Sequence, residues 1–413
     1  MPLLRRWRQP SLAWLVFFVI VVDLIGFGIV IPILPFLSPQ LGGGTDDIAL
    51  ILVSYSVAAA LVAPLWGRLS DRLGRRRVLG ICLLGGAASH FLLAAADTLS
   101  TVYLARAVAG AMAGSLPVAT ALVADVSAPD RRSRAMGLIG RAFGVGLVLG
   151  PMIGGLLSLS DGDFTIPCLV AGGLSTLAAV MAFLLLPEHV GADAESPAAV
   201  DPEEPESLVD LIRRPGLLLF VSQFTFHTCA VSASIYLFPL WVADGLGWQA
   251  REVGLFFGLV GAVMIMTQGN LLGRMTDLFG PMWVLRGAAA GFCSALLFSA
   301  YASDPWAMGF LGLAAFSVAT LCLPLLNTIA SQLVTASRRG QFFGITTSAA
   351  AMGRIAGPLL AALLLAQGSF FLAWLGAATA VFVVLVWSCT SGNAVQRVAG
   401  CHMGQSAPKA ESL

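Results

Sequence analysis

The stretch "GRLSDRLGRRRVL", residues 67–79, returns in outline 206 residues later as "GRMTDLFG", residues 273–280. Gly67, Asp71 and Gly74 fall on Gly273, Asp277 and Gly280 with unchanged spacing. At an offset of 207 the matches spread along the chain: Pro32 with Pro239, Pro117 with Pro324, Gly137 with Gly344, Gly150 with Gly357, and Pro151 with Pro358. Glycine costs roughly 1 kcal/mol against alanine inside a helix, and proline about 3 kcal/mol. Such residues persist at one offset only where the architecture needs them twice. The chain therefore reads as two halves with the same number of elements in the same orientation, a parallel repeat.

Composition says what the repeated unit is made of. Of 413 residues, 58% are hydrophobic and 11% charged, where a soluble protein is about a quarter charged; the mean hydropathy is +0.88. Apolar stretches of spanning length recur from end to end, which predicts an all-α polytopic membrane protein. Polar, Gly and Pro breaks divide it into twelve spans: 11–37, 46–69, 78–98, 100–126, 133–159, 164–186, 217–243, 251–277, 281–302, 304–335, 340–366 and 368–390. The domain expectation is a tail at 1–10, a six-helix bundle at 11–186, a linker at 187–216, a second bundle at 217–390 and a tail at 391–413. The linker sequence, acidic and rich in Pro and Ala, suits a flexible connection. Arg5, Arg6 and Arg8 before an apolar run imitate a signal peptide, but the run passes Val30 without a small-residue cleavage site and reads as a retained helix.

Arginine placement orients the spans. With the N-terminus in the cytoplasm and alternating loops, 19 of the 23 basic residues fall inside and only Arg251 outside, while Arg106, Arg141 and Arg354 lie within spans. This is the positive-inside pattern, and it places both termini on the cytoplasmic side of a cell inner membrane. A net charge of +1 implies no polyanionic partner, so no nucleic acid. Seven scattered cysteines (Cys82, Cys168, Cys229, Cys293, Cys322, Cys389, Cys401) show no metal-ligand spacing and read as packing residues. No metal, cofactor or nucleotide site is expected: there is no H-E-x-x-H, no G-x-S-x-G and no phosphate loop, which argues against an intramembrane enzyme and against ATP drive.

Four motifs carry weight. In "GRLSDRLG", Gly67 permits close helix contact, Gly74 permits the turn, and Asp71 can accept hydrogen bonds from an arginine or a helix N-terminus. "RAVAGAMAG" holds Arg106, Gly110 and Gly114. "GLVLGPMIGG" (146–155) holds Gly146, Gly150 and Gly154 every four residues, with Gly155 and Pro151: a smooth stripe with a kink. "DLIGFGIVIPILP" opens with Asp23 inside the first span.

On these residues the chain resembles the major facilitator superfamily. Gly67, Asp71, Arg72, Gly74, Arg75 and Arg76 match its cytoplasmic loop motif, with Asp277 in the repeat. The Arg106 segment looks like the fourth-helix motif of proton-coupled members, and "GLVLGPMIGG" like the fifth-helix motif of antiporters. "DLIGFGIVIPILP" and "PVATALVADVSAPDRRSRAMGLIG" are similar to the twelve-helix drug/proton antiporters, the tetracycline-exporter branch in particular. The resemblance implies alternating access between two bundles, export of a small molecule against protons, partners no wider than substrate, protons and bilayer, and a monomer. It also implies that the glycine seam of the fifth helix packs on a second-half helix.

The charges inside spans then become the candidate machinery, since each costs about 2.5–3.5 kcal/mol there. Asp23 stands roughly 18 Å into the first span at about 1.5 Å per residue, and Arg106 comes to a similar depth from the other side. An Asp23–Arg106 pair is expected, with Asp23 carrying the proton; its repeat-mate is Ala230, so the acid belongs to one half only. Arg354 sits about fourteen residues into its span and Arg141 close enough to the surface to snorkel. Gln223 and His227, four apart, share a face. With Phe27, Met112, Phe224, Phe226, Asn327 and Arg354 they make the expected substrate cavity, apolar with a few polar contacts. His90 reads as a packing histidine. One departure separates the chain from tetracycline exporters, which carry further acids in their third and ninth helices: here the third has His90 and only a terminal Asp97, and 281–302 has no acid. A tetracycline–metal complex is thus disfavoured, and another amphipathic drug or a metabolite takes its place. Proton-coupled import of a small metabolite remains the alternative direction, and a non-transporting membrane receptor or intramembrane enzyme the alternative of another class.

Overall fold

The computed structural model describes residues 9–127, 132–158, 163–187, 216–333 and 339–390, so nearly all of both tails and of the linker lies outside the described residues. Every regular element among them is helical. In order these are α1 (Gln9–Val30), α2 (Leu34–Gln40), α3 (Thr45–Leu73), α4 (Arg75–Ala94), α5 (Leu99–Ala111), α6 (Ser115–Val126), α7 (Arg132–Leu157), α8 (Thr165–Leu185), α9 (Leu217–Leu246), α10 (Ala250–Met266), a π-turn (Thr267–Leu271), α11 (Leu272–Phe279), α12 (Pro281–Tyr301), α13 (Pro305–Leu333), α14 (Arg339–Leu365) and α15 (Phe370–Thr390). Among the described residues, eleven segments are long and apolar enough to cross a membrane. The remaining expected span, 251–277, is present as α10, the π-turn and α11; α10 alone has 17 residues, so the π-turn divides what the sequence reads as one helix. The chain is a multi-pass helical membrane protein.

The repeated prolines behave differently in the two halves. Proline lacks the N–H for its i−4 carbonyl and crowds that carbonyl with its ring. At Pro32 the helix breaks between α1 and α2, and the Ile31 N–H turns to the Gly28 carbonyl at 3.2 Å. Pro239, its mate, lies inside unbroken α9. Likewise α5 and α6 are separated by Met112–Gly114 just before Pro117, whereas Pro324 lies inside α13. The difference is in the neighbours: Gly28, Gly110 and Gly114 in the first half stand where the second has Ile235, Ser317 and Leu321. Glycine lowers the resistance of a helix to breaking where proline has already removed a bond. The Ala111 carbonyl exposed by the second break accepts the Trp66 indole N–H at 2.6 Å.

The described residues fall into two compact units: those within Met1–Asp201 together with Phe238–Ile265, and those within Pro202–Leu237 with Met266–Leu413. In the first unit, α7 packs on α1 with almost no space between backbones. A Cβ added at Gly146 would lie 2.4 Å from Leu24 Cβ, at Gly150 2.6 Å from Gly28 Cα, and at Gly154 2.3 Å from the Ile29 carbonyl oxygen. The stripe is therefore seated on α1, a helix of its own half, which corrects the expectation of a second-half partner. Only the adjacent face of α7 meets one: Gly155 is 2.8 Å by the same measure from the Arg251 carbonyl, Gly254 2.5 Å from the Pro151 carbonyl, and Gly261 2.6 Å from Val148. The azimuth decides it, since Gly155 is rotated about 100° from Gly154.

The second unit repeats the tight pair with α14 on α9. An added Cβ at Gly353 would lie 2.3 Å from the Thr225 carbonyl, and at Gly357 2.4 Å from the Cys229 carbonyl. The Thr225 hydroxyl donates to the Ala349 carbonyl (2.9 Å) and the Ser232 hydroxyl to the Gly353 carbonyl (3.1 Å) across the same seam. Phe220, Phe224, Phe342 and Trp387 form the aromatic heart of this unit's core, with Phe220 and Phe342 stacked at 6.2 Å. The described cysteines are free thiols, with Cys82, Cys168, Cys293 and Cys322 buried in packing; Cys401 lies outside the described residues.

Candidate functional site

The break between α5 and α6 sets up the polar cluster of the first unit. It makes Ser115 the first residue of α6, and the Ser115 hydroxyl donates to Asp23 Oδ2 at 2.8 Å. Asp23 is half-buried on α1. Ser175 of α8 lies beside the same carboxylate, and its hydroxyl is 3.4 Å from Nδ1 of buried His90 on α4. The packing that permits this is at Gly26, where a Cβ would stand 3.0 Å from the Ala171 carbonyl and 3.1 Å from Ser175 Oγ. Four helices thus bring an acid, two hydroxyls and an imidazole together.

Arg106 is elsewhere. It is 5% exposed, and its guanidinium lies 4.6 Å over the Tyr55 ring, which in turn has Phe27 at 5.6 Å. Gly110 allows this, since a Cβ there would collide with the Tyr55 backbone at 2.2 Å. Its Nε has no hydrogen-bond partner, and among the described residues no carboxylate reaches it within 4 Å. The expected Asp23–Arg106 pair is not formed. Equal depth along two helices does not fix the direction in which side chains point; the hydroxyls of Ser115 and Ser175 take the acid, and the face of Tyr55 takes the cation.

The loop motif is assembled as a network. Asp71 and Arg75 pair at 2.7 Å, Arg75 Nε reaches Asp125 Oδ2 at the end of α6 at 3.0 Å, and Arg75 Nη1 donates to Ser70 Oγ at 2.6 Å. Arg76 donates to the Phe183 carbonyl of α8. Arg72 and Gly67 are exposed. The turn itself is common to both halves: Gly74 has φ +93° and Gly280 φ +79°, a region that favours glycine. Ser70 Oγ donates to the Gly67 carbonyl (2.8 Å) as Thr276 Oγ1 does to the Gly273 carbonyl (2.7 Å). The ion pairs are not shared, because the counterpart of Arg75 is Pro281; Asp277 is exposed and makes no ion pair among the described residues.

The expected cavity residues are dispersed. Met112 packs on α4, its side chain filling the space over Gly85. In the second unit Gln223 is fully buried, and His227 presents its ring to Phe292 of α12 at 6.3 Å. His227 therefore faces packing inside its own unit, and Gln223 is buried within the same unit. Phe224 is in the core; Phe226 and Asn327 are half-buried, and Arg354 is exposed on α14. Arg141 is exposed and bonds the Gly137 carbonyl of its own helix at 3.3 Å. Sequence reading missed Ser115, Ser175, Tyr55 and Asp125 as partners and placed His90 in packing alone. The one available signal was the Gly-Pro break beside Ser115.

Comparison with known proteins is consistent along the chain. The family described as Major Facilitator Superfamily matches residues 16–274. The tetracycline resistance protein, class D, of Salmonella ordonez is 29% identical over 366 residues, covering 87% of this chain and 90% of that protein. The crystal structure of the human organic anion transporter MFSD10 (TETRAN) has a TM-score of 0.65 at 26% identity, covering 95% of this chain and 99% of its own. A bacterial homolog of the human lysosomal transporter Spinster, inward-facing and occupied, reaches 0.77 at 13% identity, covering 94% and 97% respectively; at that identity it speaks for the fold.

Proposed function

The chain belongs to the Major Facilitator Superfamily, and on that premise we propose that it exports a small amphipathic molecule across the cytoplasmic membrane in exchange for protons, by alternating access. The observation that carries this reading is Asp23: an acid in a spanning helix, bonded to Ser115 and with no cationic group within 4 Å among the described residues. An ion pair there would have argued for a permanently charged structural role. A carboxylate held by a hydroxyl can change charge without rearrangement. Ionised, it accepts from the Ser115 O–H; protonated, it donates to the Ser115 oxygen, so the same two atoms serve both states. Substrate entering beside the carboxyl tips the balance between its two states.

In the proposed cycle Asp23 takes a proton while open to the outside and yields it inward as substrate binds. Arg106, held by Tyr55 rather than by Asp23, keeps its positive charge available to the cavity. Phe27 in the first unit, and Phe226, Asn327 and Arg354 in the second, are proposed as substrate contacts, each within its own unit; Met112, Gln223 and His227 are left out because their side chains pack inside their own unit. The likeness to a tetracycline resistance protein and to an organic anion transporter favours a drug-like amphipathic substrate. The absence of acids from α12 disfavours a metal chelate. Both termini are proposed to be cytoplasmic, with the glycine seams of α7 holding the bundle closed to ions.

The test is transport in everted vesicles with a pH-sensitive dye and a panel of amphipathic compounds. Proton release from the vesicle lumen upon substrate addition supports exchange. Substrate-driven proton movement in the same direction as the substrate overturns it in favour of symport.

A further inference from the structure

A cavity of about 310 Å³ lies in the second unit between the first turns of α9 and the last turns of α15. Leu219 and Gln223 line it from α9, four apart; Val383, Val386, Trp387 and Thr390 line it from one face of α15, with Phe382 beside them. Its outer lip is open: Leu219 is 48% and Phe382 53% exposed on segments that span the membrane, so the cavity opens to the bilayer. Two buried polar atoms of its lining residues are unsatisfied. Gln223 is 0% and Trp387 3% exposed, and Gln223 Oε1 and Trp387 Nε1 both lack a hydrogen-bond partner. The Gln223 amide is oriented by its Nε2, which donates to the Leu219 carbonyl at 2.6 Å, and this leaves Oε1 as the free atom. Thr390 is satisfied within its helix, its hydroxyl on the Val386 carbonyl at 2.8 Å.

The two orphaned atoms are complementary: one accepts and one donates. A single hydroxyl satisfies both, giving its proton to Gln223 Oε1 and taking one from the Trp387 indole. The remaining wall is apolar, and no lining residue carries a charge, so an ionised headgroup would find no counter-charge there. Depth agrees. Gln223 is six residues from the start of α9, roughly 9 Å, and Trp387 three from the end of α15, roughly 5 Å. That is the level at which the hydroxyl of an amphiphile rests, with its apolar body directed toward the bilayer centre. We infer that this groove binds a neutral lipid alcohol from the membrane, its hydroxyl bridging Gln223 and Trp387 and its apolar body lying along Leu219, Phe382 and Val386.

The test uses the full chain in phosphatidylcholine nanodiscs, a diazirine-bearing long-chain alcohol as photoprobe, and peptide mapping of the crosslinks. Labelling is expected on residues 217–223 and 382–390, displaced by hexadecanol and not by hexadecane. Gln223→Leu and Trp387→Phe are each expected to lower it roughly fivefold to tenfold, the effect of one neutral hydrogen bond. Leu219→Trp, which fills the groove from its lip and leaves both polar groups in place, is expected to abolish it while the protein melts as before. Equal displacement by hexadecane, stronger displacement by phosphatidylglycerol, or undiminished labelling of the Gln223→Leu and Trp387→Phe proteins would overturn the inference.

Discussion

Asp23 and Ser115 sit 92 residues apart, and their 2.8 Å bond depends on a helix break that neither residue causes. A hydrogen bond to a charged group contributes about 1.5–3 kcal/mol. Ser115→Ala is therefore expected to slow transport about tenfold or more with helix content unchanged, and Ser115→Thr, which retains the hydroxyl, to restore most of the rate; transport assays on the two variants check this. Arg75 offers a second measurement at the same scale. Its pairs with Asp71 and Asp125 are partly exposed, which limits each to about 1 kcal/mol or less. A double-mutant cycle of Arg75→Gln with Asp125→Asn, read by thermal unfolding, is expected to return a coupling of about 0.5–1 kcal/mol. Asp23 was legible in the sequence because an acid in an apolar run stands out. Its partners were not. Serines and threonines in spanning helices usually bond their own i−4 carbonyl, as Thr120, Thr176 and Ser158 do here, so a lone Ser115 or Ser175 carries no signal until the fold places it.

Helices show the same limit in another form. The glycine stripe of α7 was legible as a close contact, and its existence followed from spacing alone. Which helix it contacts depended on azimuth, and α1 took the stripe while Gly155 met α10. Proline matched between halves predicted matched kinks, yet only the first half breaks at Pro32 and Pro117, because glycines flank those prolines there. Two substitutions on one helix test the packing reading. Gly150→Ala puts a methyl 2.6 Å from the Gly28 backbone, which has no flexible end to move, and is expected to cost about 1–3 kcal/mol. Gly140→Ala meets nothing within 4 Å and is expected to gain up to about 1 kcal/mol from helix propensity. Thermal melting of both in one detergent gives the comparison. At the α5–α6 break, Trp66→Phe removes the indole donor to the Ala111 carbonyl and is expected to cost about 1–3 kcal/mol by the same assay.

The molecule as a whole combines a repeated scaffold with chemistry present once. Turns at Gly74 and Gly280 and glycine seams on α7 and α14 occur in both halves. Among the described residues, Asp23, the Arg75 ion pairs and the helix breaks beside the matched prolines occur in the first alone. Hydropathy and the 206–207 offset carried the fold, because burial in lipid constrains every residue of a span. Substrate chemistry is set by a few side chains and left no comparable pattern. One proton moving down 100 mV supplies about 2.3 kcal/mol, enough to concentrate a neutral substrate roughly fiftyfold. The central claim, that Asp23 couples this energy to export, is tested most directly in proteoliposomes with an imposed proton gradient, comparing the wild type with Asp23→Asn. The account predicts that the wild type accumulates substrate against its gradient with matching proton flux, while Asp23→Asn only equilibrates it. Accumulation by Asp23→Asn equal to the wild type would contradict the account.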